Sequence, residues 1–569
     1  MFIRLTRSKT SKNPTVQIVE SYREGKKVRQ KIVASLGVVK DNEDRQRLIH
    51  MGHALIAKLS GERNPQIALD SPDDEEVISE EQKVHPKNLI HIRNQASGFE
   101  EVFGELAKRV GFTDILSKID KENAHEFSCQ EIIQMLVRKR IEEPTSKRRS
   151  LYLEHQDKGA LPCELHQVYR AMDTIEPFAH HFQSAAHNAA LNLLGNIECY
   201  FYDATTLYFE SVLQDEVREF GFSKDGRFNQ VQIVLCLLVT DQGLPVGYEI
   251  FAGNTAETKT LKTALDNLRK RYNVVRATIV CDRGMLSKDN LEFAESSADM
   301  NYIIGEKLRG LSKDFEEVFL DKSAYKALGE ENLIRDMAHP TRKEARLILV
   351  YSPSRARKDY QDRERLLKKL RKKLNPNSKP KAFISNAGVK KYVRTEGGTA
   401  TLNLEAIAKE ERWDGFFGIV TNHKTLPAEA ALAQYRGLWQ VEAAFRLTKH
   451  SLSARPIFHW TPKRIRAHIL ICFQALALER QLEIKLRAAN LTTQNIHDAL
   501  SQCQKVILQD RRTFRLFEID SNKPPEAKQI YETLGLKWRK ATRELPKPDG
   551  LVVSSVGRVK PEAIGITGF

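Results

Sequence analysis

Two aspartates lie beside predicted strands. Asp203 comes at the end of the first predicted core strand, which begins at Ile197, and Asp282 directly follows a second apolar strand. Carboxylates at strand ends of an open sheet are well placed to hold a ligand. A single aspartate at such a point is more often a turn or helix-cap residue. The indication therefore comes from the pair, because both flank apolar strands of one predicted sheet.

A third carboxylate, Glu442, is indicated by helical spacing. Tyr435, Glu442 and Lys449 follow one another at intervals of seven residues. Seven residues of an α-helix bring a side chain back to within about 20° of its starting direction, so the three are predicted to share one helix face. The alternative for Glu442 is an exposed glutamate paired with a neighbouring cation. Trp439 and Phe445, on the same helix, are predicted to be core residues.

The three acids have no histidine or thiolate partner in these patterns, so together they would form a site of hard oxygen ligands. Such a site favours Mg²⁺, with Mn²⁺ as a substitute, over zinc. Two ions held by bridging carboxylates can activate an attacking oxygen and stabilise a leaving one at a phosphodiester. Basic residues around the site would hold the phosphate backbone. The pattern points to nucleotidyl transfer on DNA.

The elements that must position these acids predict a mixed α/β domain. In chain order they are a strand from Ile197, the hairpin NQVQIVLCLLVT–LPVGYEIF, a helix over 257–273, a strand ending at Asp282, a helix over 287–297, the strand NYIIGEKL, the strand GFFGIVTN and a long helix from Pro427. This order is typical of a three-layer domain with a partly antiparallel sheet.

Composition excludes several classes of protein. With 569 residues, 41% of them hydrophobic and 29% charged, the chain can bury a large core, which excludes wholesale disorder. The 90 Lys and Arg against 74 Asp and Glu give a net charge of +16. A polyanion is therefore the expected partner, although other well-solvated basic proteins share this balance.

The seven cysteines form no C-x-x-C pair, which argues against a thiolate zinc site. The first residues, MFIRLTRSKT, lack the apolar block of a signal peptide, and the apolar runs are too short to span a bilayer.

Three basic stretches are open to two interpretations. Arg138–Arg140 and Lys147–Arg149 lie in a predicted helical region, where they would either contact phosphates or complement helix dipoles. Between Arg355 and Lys381, twelve basic residues stand against three acidic ones along a helical leucine stripe. The simplest interpretation of this third stretch is a surface helix with a charged face.

At these residues the chain resembles the DDE-type transposases of bacterial insertion sequences, which have a ribonuclease H-like catalytic fold. The run Gly221–Glu257 is similar to the segment after the family's first aspartate, and the sequence CDRGM that contains Asp282 is similar to its second-aspartate motif. Tyr435, Glu442 and Lys449 match the Tyr-Arg-Glu-Lys signature of the branch numbered four. The resemblance covers most of the chain.

The resemblance implies a role for each matching residue. Asp203, Asp282 and Glu442 would be the catalytic triad that binds Mg²⁺, or Mn²⁺ in its place. Tyr435 and Lys449 would contact the transposon-end DNA near the cut.

One signature position departs from the family pattern. The signature's arginine would fall at Leu438, and Arg436 or Arg446 is predicted to supply the charge in its place. Arg283, next to Asp282, would steady a phosphate, with a structural salt bridge as the alternative.

The resemblance also implies an α/β fold: a ribonuclease H-like core with a mixed sheet flanked by helices, interrupted by an insertion subdomain and preceded by DNA-binding regions. The predicted segments are a basic N-terminal β-ribbon region (1–69), an acidic linker (70–96), a helical DNA-binding region (97–195), the first part of the catalytic core (196–310), the insertion subdomain (311–412), the second part of the core (413–485) and a C-terminal helical region with a tail (486–569).

The function implied is DNA transposition. The protein would bind terminal inverted repeats, hydrolyse the phosphodiester at each transposon end and transfer the 3′-hydroxyls to target DNA. It would act as a homodimer in a synaptic complex, in the bacterial cytoplasm at the nucleoid and without any membrane. Two alternatives remain open: a catalytically silent, transposon-derived DNA-binding regulator, and a structure-specific nuclease that cuts without joining.

Overall fold

Alternation of apolar and polar residues at the N-terminus produces a small antiparallel sheet in the computed structural model. Its strands are β1 (Phe2–Thr6), β2 (Thr15–Glu24) and β3 (Lys27–Val38), in that spatial order. Val16, Val39 and Leu48 form its buried core. These three strands lie in the segment predicted as a basic N-terminal β-ribbon region, 1–69.

The chain divides into two compact units, Met1–Val84 and His85–Phe569, and the N-terminal sheet belongs to the first. The structure describes residues 2–6, 13–24, 27–39, 45, 48–49, 51–52, 85–158, 163–223, 226, 229–272, 277–285, 287–295, 300–311, 313–374, 391–396, 399–521, 523–537 and 542–545. The predicted acidic linker lies outside the described residues up to residue 84. In the described part of the chain, no helix has both the length and the apolar character needed to cross a bilayer.

The second unit begins with a strand and six helices. These are β4 (Leu89–Ala96), α1 (Gly98–Val110), α2 (Phe112–Glu122), α3 (Cys129–Glu142), α4 (Lys147–Lys158), α5 (Leu165–Ile175) and α6 (Ala179–Leu194). Ser128 caps the N-terminus of α3, since its side chain accepts a hydrogen bond from the Glu131 backbone N–H at 3.1 Å. Residues 89–96, which the sequence places in the linker, instead form β4.

The predicted mixed sheet follows. Its first elements are β5 (Cys199–Tyr208), β6 (Gln232–Thr240), β7 (Pro245–Ala252), α7 (Thr260–Tyr272), β8 (Ala277–Cys281), α8 (Lys288–Glu295) and β9 (Met300–Glu306). Strand β8 pairs in parallel with both β5 and β9, and β5, β6 and β7 form an antiparallel meander. The mixed α/β prediction is confirmed.

The segment predicted as an insertion extends this same sheet. It contains α9 (Glu316–Leu320), β10 (Lys326–Leu328), β11 (Asn332–Ala338), β12 (Arg346–Tyr351), α10 (Pro353–Lys373), β13 (Val393–Glu396), β14 (Thr399–Leu402) and α11 (Leu404–Glu411). Strands β10 to β12 and β15 (Phe416–Thr421) join β5 to β9 in one nine-stranded sheet. The strand order is β10-β11-β12-β15-β9-β8-β5-β6-β7.

The remaining elements are α12 (Ala428–Arg436), α13 (Trp439–Arg446), α14 (Pro462–Lys485), α15 (Thr493–Ser501), β16 (Gln504–Asp510), β17 (Leu516–Asp520), α16 (Pro525–Thr533) and β18 (Arg543–Leu545). Helix α14 is buried on nearly every side and packs against α3, α5 and β7. The C-terminal region was predicted to be helical, but it also contains strands. Its strands form a separate four-stranded sheet with β4, in the order β18-β17-β16-β4.

Candidate active site

Strand register brings Asp203 and Asp282 next to each other. Tyr202 of β5 pairs with Cys281 of β8 in parallel, so each aspartate is the next residue on one of two adjacent strands, which lie about 4.8 Å apart in a sheet. Asp203 is half-buried and Asp282 is exposed. The Asp203 carboxylate accepts a hydrogen bond from the Ala204 backbone N–H at 2.7 Å.

The sequence predicts Asp203 at the end of its strand, and this prediction is wrong. Strand β5 continues to Tyr208, and Asp203 pairs with Leu237 of β6. The neighbour on the other side, β8, ends at Cys281. The aspartate therefore stands at the point where β5 loses its pairing with β8 on one side.

Glu442 is carried by the short helix α13, which packs against β5 and β6. Val441, Ala444 and Phe445 are buried against the sheet, while Glu442 is exposed. The predicted continuous helix is instead divided into α12 and α13 by Gly437 and Leu438. A Cβ on Gly437 would lie 2.4 Å from Cζ of Phe201, so glycine permits the close approach of this junction to β5.

All three carboxylates line one open cleft of about 930 Å³. Its other lining residues are Asn332, Ser352, Ser354, Arg355, Lys358, Phe417, Tyr435, Arg436, Leu438, Trp439 and Val441. The donor set consists of carboxylates without thiolate or imidazole, which fits a hard divalent cation. Within the described residues, no three acidic, histidine or cysteine side chains are gathered closely enough to hold one ion, so the carboxylates would have to turn towards one another.

Tyr435 presents a protonated hydroxyl in this cleft. Burial raises the pKa of Tyr435 to about 12, and the nearby charge of Asp282 adds to the increase, while Arg355 and Arg283 oppose it. A Cβ on Gly305 would lie 2.5 Å from the Tyr435 hydroxyl oxygen, so the glycine leaves room for it. The phenol is therefore a hydrogen-bond donor at physiological pH.

The other predicted DNA contacts are divided among this cleft, an adjoining cleft and positions that line neither. Arg436 is exposed and lines the cleft. Arg283 lines an adjoining cleft of about 780 Å³. Lys449 lies in a π-helical turn, residues 447–451, and neither Lys449 nor the exposed Arg446 is among the residues that line these two clefts.

Sequence reasoning missed three residues of the cleft. Trp439 was predicted to be a core residue, but 57% of its surface is exposed and it lines the cleft. Arg355 and Lys358 belong to the basic stretch interpreted as a surface helix, and they line the cleft from the first turns of α10. Only the distance in sequence concealed this relation, because no local spacing connects α10 to the three acids.

Four of the basic residues in α3 and α4 are buried, which corrects their interpretation as a phosphate-contacting surface. Arg138 and Lys139 form ion pairs within the fold, with Glu154 as a shared partner and Asp157 bound to Lys139. Arg140 and Lys147 are also at most 5% exposed. Buried cations need partners to offset desolvation, so these residues are occupied by the protein itself.

Two protein families match parts of this sequence. Residues 195–478 match the transposase DDE domain, and residues 3–66 match the N-terminal domain of IS1634 family transposases. The first match contains all three acids of the cleft, and the two together span more than half of the chain. The chain belongs to the DDE-type transposases of insertion sequences. The predicted family is confirmed, while assignment to the branch numbered four stays a prediction.

Among solved structures, this transposase is similar to the piggyBac transposase in a cryo-EM synaptic complex with hairpin DNA. The likeness has a TM-score of 0.34 and 9% sequence identity, and it covers 71% of this chain and 78% of that chain. At that TM-score it carries no argument about the site. No curated protein matches the sequence.

Proposed function

We propose that this transposase cuts the phosphodiester at each end of its insertion sequence and joins the freed 3′-hydroxyls to target DNA, with Asp203, Asp282 and Glu442 as the metal-binding catalytic residues. The observation that carries the proposal is that these three carboxylates, which come from distant parts of the chain, line one cleft. That cleft is open, as a double-stranded substrate requires.

Mg²⁺, with Mn²⁺ as a substitute, is the proposed cofactor, and Asp203, Asp282 and Glu442 would hold it. When bound, it would activate the attacking oxygen and stabilise the leaving oxygen at the phosphodiester. The carboxylates of Asp203 and Asp282 lie at neighbouring register positions, so they can share an ion after small side-chain rotations.

Other residues of the cleft would bind and orient the DNA. The protonated Tyr435 hydroxyl would donate a hydrogen bond to a phosphate oxygen near the cut, and the exposed Arg436 would contribute positive charge. We place Arg283 on the DNA strand in the adjoining cleft. Lys449 and Arg446 would contact DNA beyond the cleft, at the end of the catalytic helix.

We further propose that the core is ribonuclease H-like. The antiparallel meander β5–β7 followed by the parallel strands β8 and β9 supports this, as does the placement of Glu442 on a helix packed against β5. The segments 196–310 and 413–485 would be the two parts of this core, with 311–412 inserted between them. The N-terminal and helical regions would bind the terminal repeats in a homodimeric complex, in the bacterial cytoplasm.

The experiment is a cleavage and joining assay on the element's own end DNA, recovered from the sequence flanking the gene. The wild-type protein is incubated with a labelled end duplex and a supercoiled target plasmid, with Mg²⁺ or with a chelator. We expect Mg²⁺-dependent nicks at the element boundary and labelled plasmid products. Cutting without joined products would favour a nuclease, and binding without cutting would favour a silent regulator; either result would contradict the proposal.

A further inference from the structure

The first turns of α10 bring positive charge to the cleft that holds the three acids. Helix α10 begins directly after β12, and Ser352 and Ser354 at this junction line the cleft together with Arg355 and Lys358. Arg357, on the same turns, faces elsewhere and lies 3.8 Å from Glu331. The helix therefore directs two of its first three cations into the cleft.

The guanidinium of Arg355 is held in place yet remains accessible. Its central carbon lies 4.8 Å from the centroid of the Phe417 ring, which also lines the cleft. Its Nε lies 3.8 Å from an oxygen of Asp359, beyond hydrogen-bonding distance, and half of the side chain is exposed. Asp359 accepts a hydrogen bond from the Gly415 backbone N–H at 3.0 Å. The Phe417 ring and the ion pair with Asp359 both lie against Arg355, and half of its side chain remains open to a ligand.

Arg355 also joins the two clefts, because it lines both of them. Several other cations of the second cleft are neutralised within the protein. Arg363 forms two hydrogen bonds with Asp414, at 2.6 and 2.7 Å. Arg309 and Lys391 both pair with Glu410. Arg355 therefore carries positive charge where the two clefts meet, and Arg283 and Lys307 carry positive charge in the second cleft.

The catalytic helix does not supply an equivalent charge at its own start. Leu438, between α12 and α13, lines the cleft with an apolar side chain. Arg355 is close enough to act electrostatically on Tyr435 across the cleft. The cleft thus has carboxylates on one group of elements, β5, β8 and α13, and cations on α10 and α12.

We propose that Arg355 and Lys358 bind the backbone phosphates beside the scissile phosphodiester. Helix α10 of the predicted insertion would then hold the DNA strand that the three acids cut. The strand would pass Arg355 from the first cleft into the second. Planar guanidinium groups suit bidentate phosphate binding, and the lysine adds a second point charge. This inference rests on the proposed cutting of DNA in the cleft.

The test compares Arg355→Ala, Lys358→Ala and Arg355→Lys with a matched control, Arg357→Ala, which removes the same charge from the same helix outside the cleft. Binding of the end duplex is measured over a series of salt concentrations, and cutting is measured in single-turnover reactions with Mg²⁺. The logarithm of the binding constant falls linearly with the logarithm of the salt concentration. We expect each alanine variant in the cleft to make this slope shallower by about 0.9, the value for one lost phosphate contact. Cutting should fall about tenfold, with partial recovery in Arg355→Lys.

A second variant separates loss of charge from loss of structure. Because Leu438 lines the same cleft, Leu438→Arg added to Arg355→Ala should restore part of the cutting rate. Unchanged slopes and rates in the alanine variants, while wild type and Arg357→Ala cut normally, would overturn the inference. No cutting by the wild-type protein would instead contradict the proposed function itself.

Discussion

At the scale of single residues, the candidate site is built from side chains that come from distant parts of the chain. Asp203 and Asp282 come near each other because Tyr202 and Cys281 pair across β5 and β8, and an aspartate beside each of two apolar strands is a signal that the sequence contains. The seven-residue spacing correctly joins Glu442 to Tyr435 in one cleft, but the predicted single helix is divided at Gly437 and Lys449 does not line that cleft. Arg355 was not predictable, since its relation to the acids depends on how strands distant in sequence pair.

Tyr435 yields a prediction about hydrogen bonding and pH. With its pKa raised to about 12 by burial, the hydroxyl keeps its proton and can donate to a phosphate throughout the range from pH 7 to 10. We expect Tyr435→Phe to slow cutting by about ten- to a hundredfold, the effect of losing a hydrogen bond to a charged group. Single-turnover rates over that pH range measure this.

The control is Tyr360→Phe, which removes a hydroxyl from an exposed tyrosine on α10 outside the clefts. The ratio of wild-type to Tyr435→Phe rates should be constant with pH, because the wild-type phenol does not ionise in that range. A ratio that declines from pH 7 to 10 would show that the hydroxyl ionises early, against the account.

Secondary-structure elements were predicted well where their pattern is local and less well where it is not. The cap of α3 and the strands β5 to β9 follow from apolar runs and capping residues. The division between α12 and α13 depends on Gly437 meeting Phe201 of β5, a contact between residues far apart in sequence. Likewise, β10–β12 join the main sheet through long-range pairings, which leave no periodic signal in the sequence.

The junction of α12 and α13 should tolerate no side chain. In Gly437→Ala the new Cβ would lie 2.4 Å from the Phe201 ring, so we expect destabilisation of about 1–3 kcal/mol by overpacking. Thermal unfolding measures the change. Gly104→Ala is the control, because a Cβ there meets nothing within 4 Å on helix α1, and that change should be neutral or slightly stabilising. Equal melting temperatures for both variants would contradict the close approach.

The buried cations of α3 should act on stability and not on DNA. Arg138→Ala would remove the guanidinium from Glu154, which is 1% exposed and keeps Lys158 at 3.0 Å, and we expect a loss of about 1–3 kcal/mol. Arg148→Ala, at an exposed position, should change stability by less than about 0.5 kcal/mol. Denaturant unfolding decides this, and equal stability of the two variants would restore a surface role for Arg138.

Glu154 also gives this pair a pH dependence. Burial alone would raise the pKa of Glu154, but Arg138 and Lys158 reverse the effect and hold it below its ordinary value. A carboxyl with a lowered pKa in the folded state stabilises the protein at neutral pH, and this contribution is lost as pH falls through that pKa. The difference in stability between wild type and Arg138→Ala should therefore shrink in acid.

At the scale of the whole molecule, one nine-stranded sheet positions the residues of the candidate site. Its centre carries Asp203 and Asp282, and β15 connects this centre to the strands of the insertion. The order of apolar and amphipathic runs predicted the mixed α/β fold, and the resemblance of the motifs predicted the transposase family. Neither could show that residues 326–351 join the sheet that carries Asp203, because strand order across a long interval is decided by tertiary packing.

The most direct test of the central claim is Mg²⁺-dependent cutting of the element's end DNA by wild type, Glu442→Gln and the control Glu429→Gln. Glu429 is an exposed glutamate on α12 that does not line the cleft, so both variants remove one negative charge from neighbouring helices. We expect wild type and Glu429→Gln to cut at the element boundary, and Glu442→Gln to bind the DNA without cutting it. Cutting by Glu442→Gln at the wild-type rate would contradict the assignment of the three carboxylates as the active site.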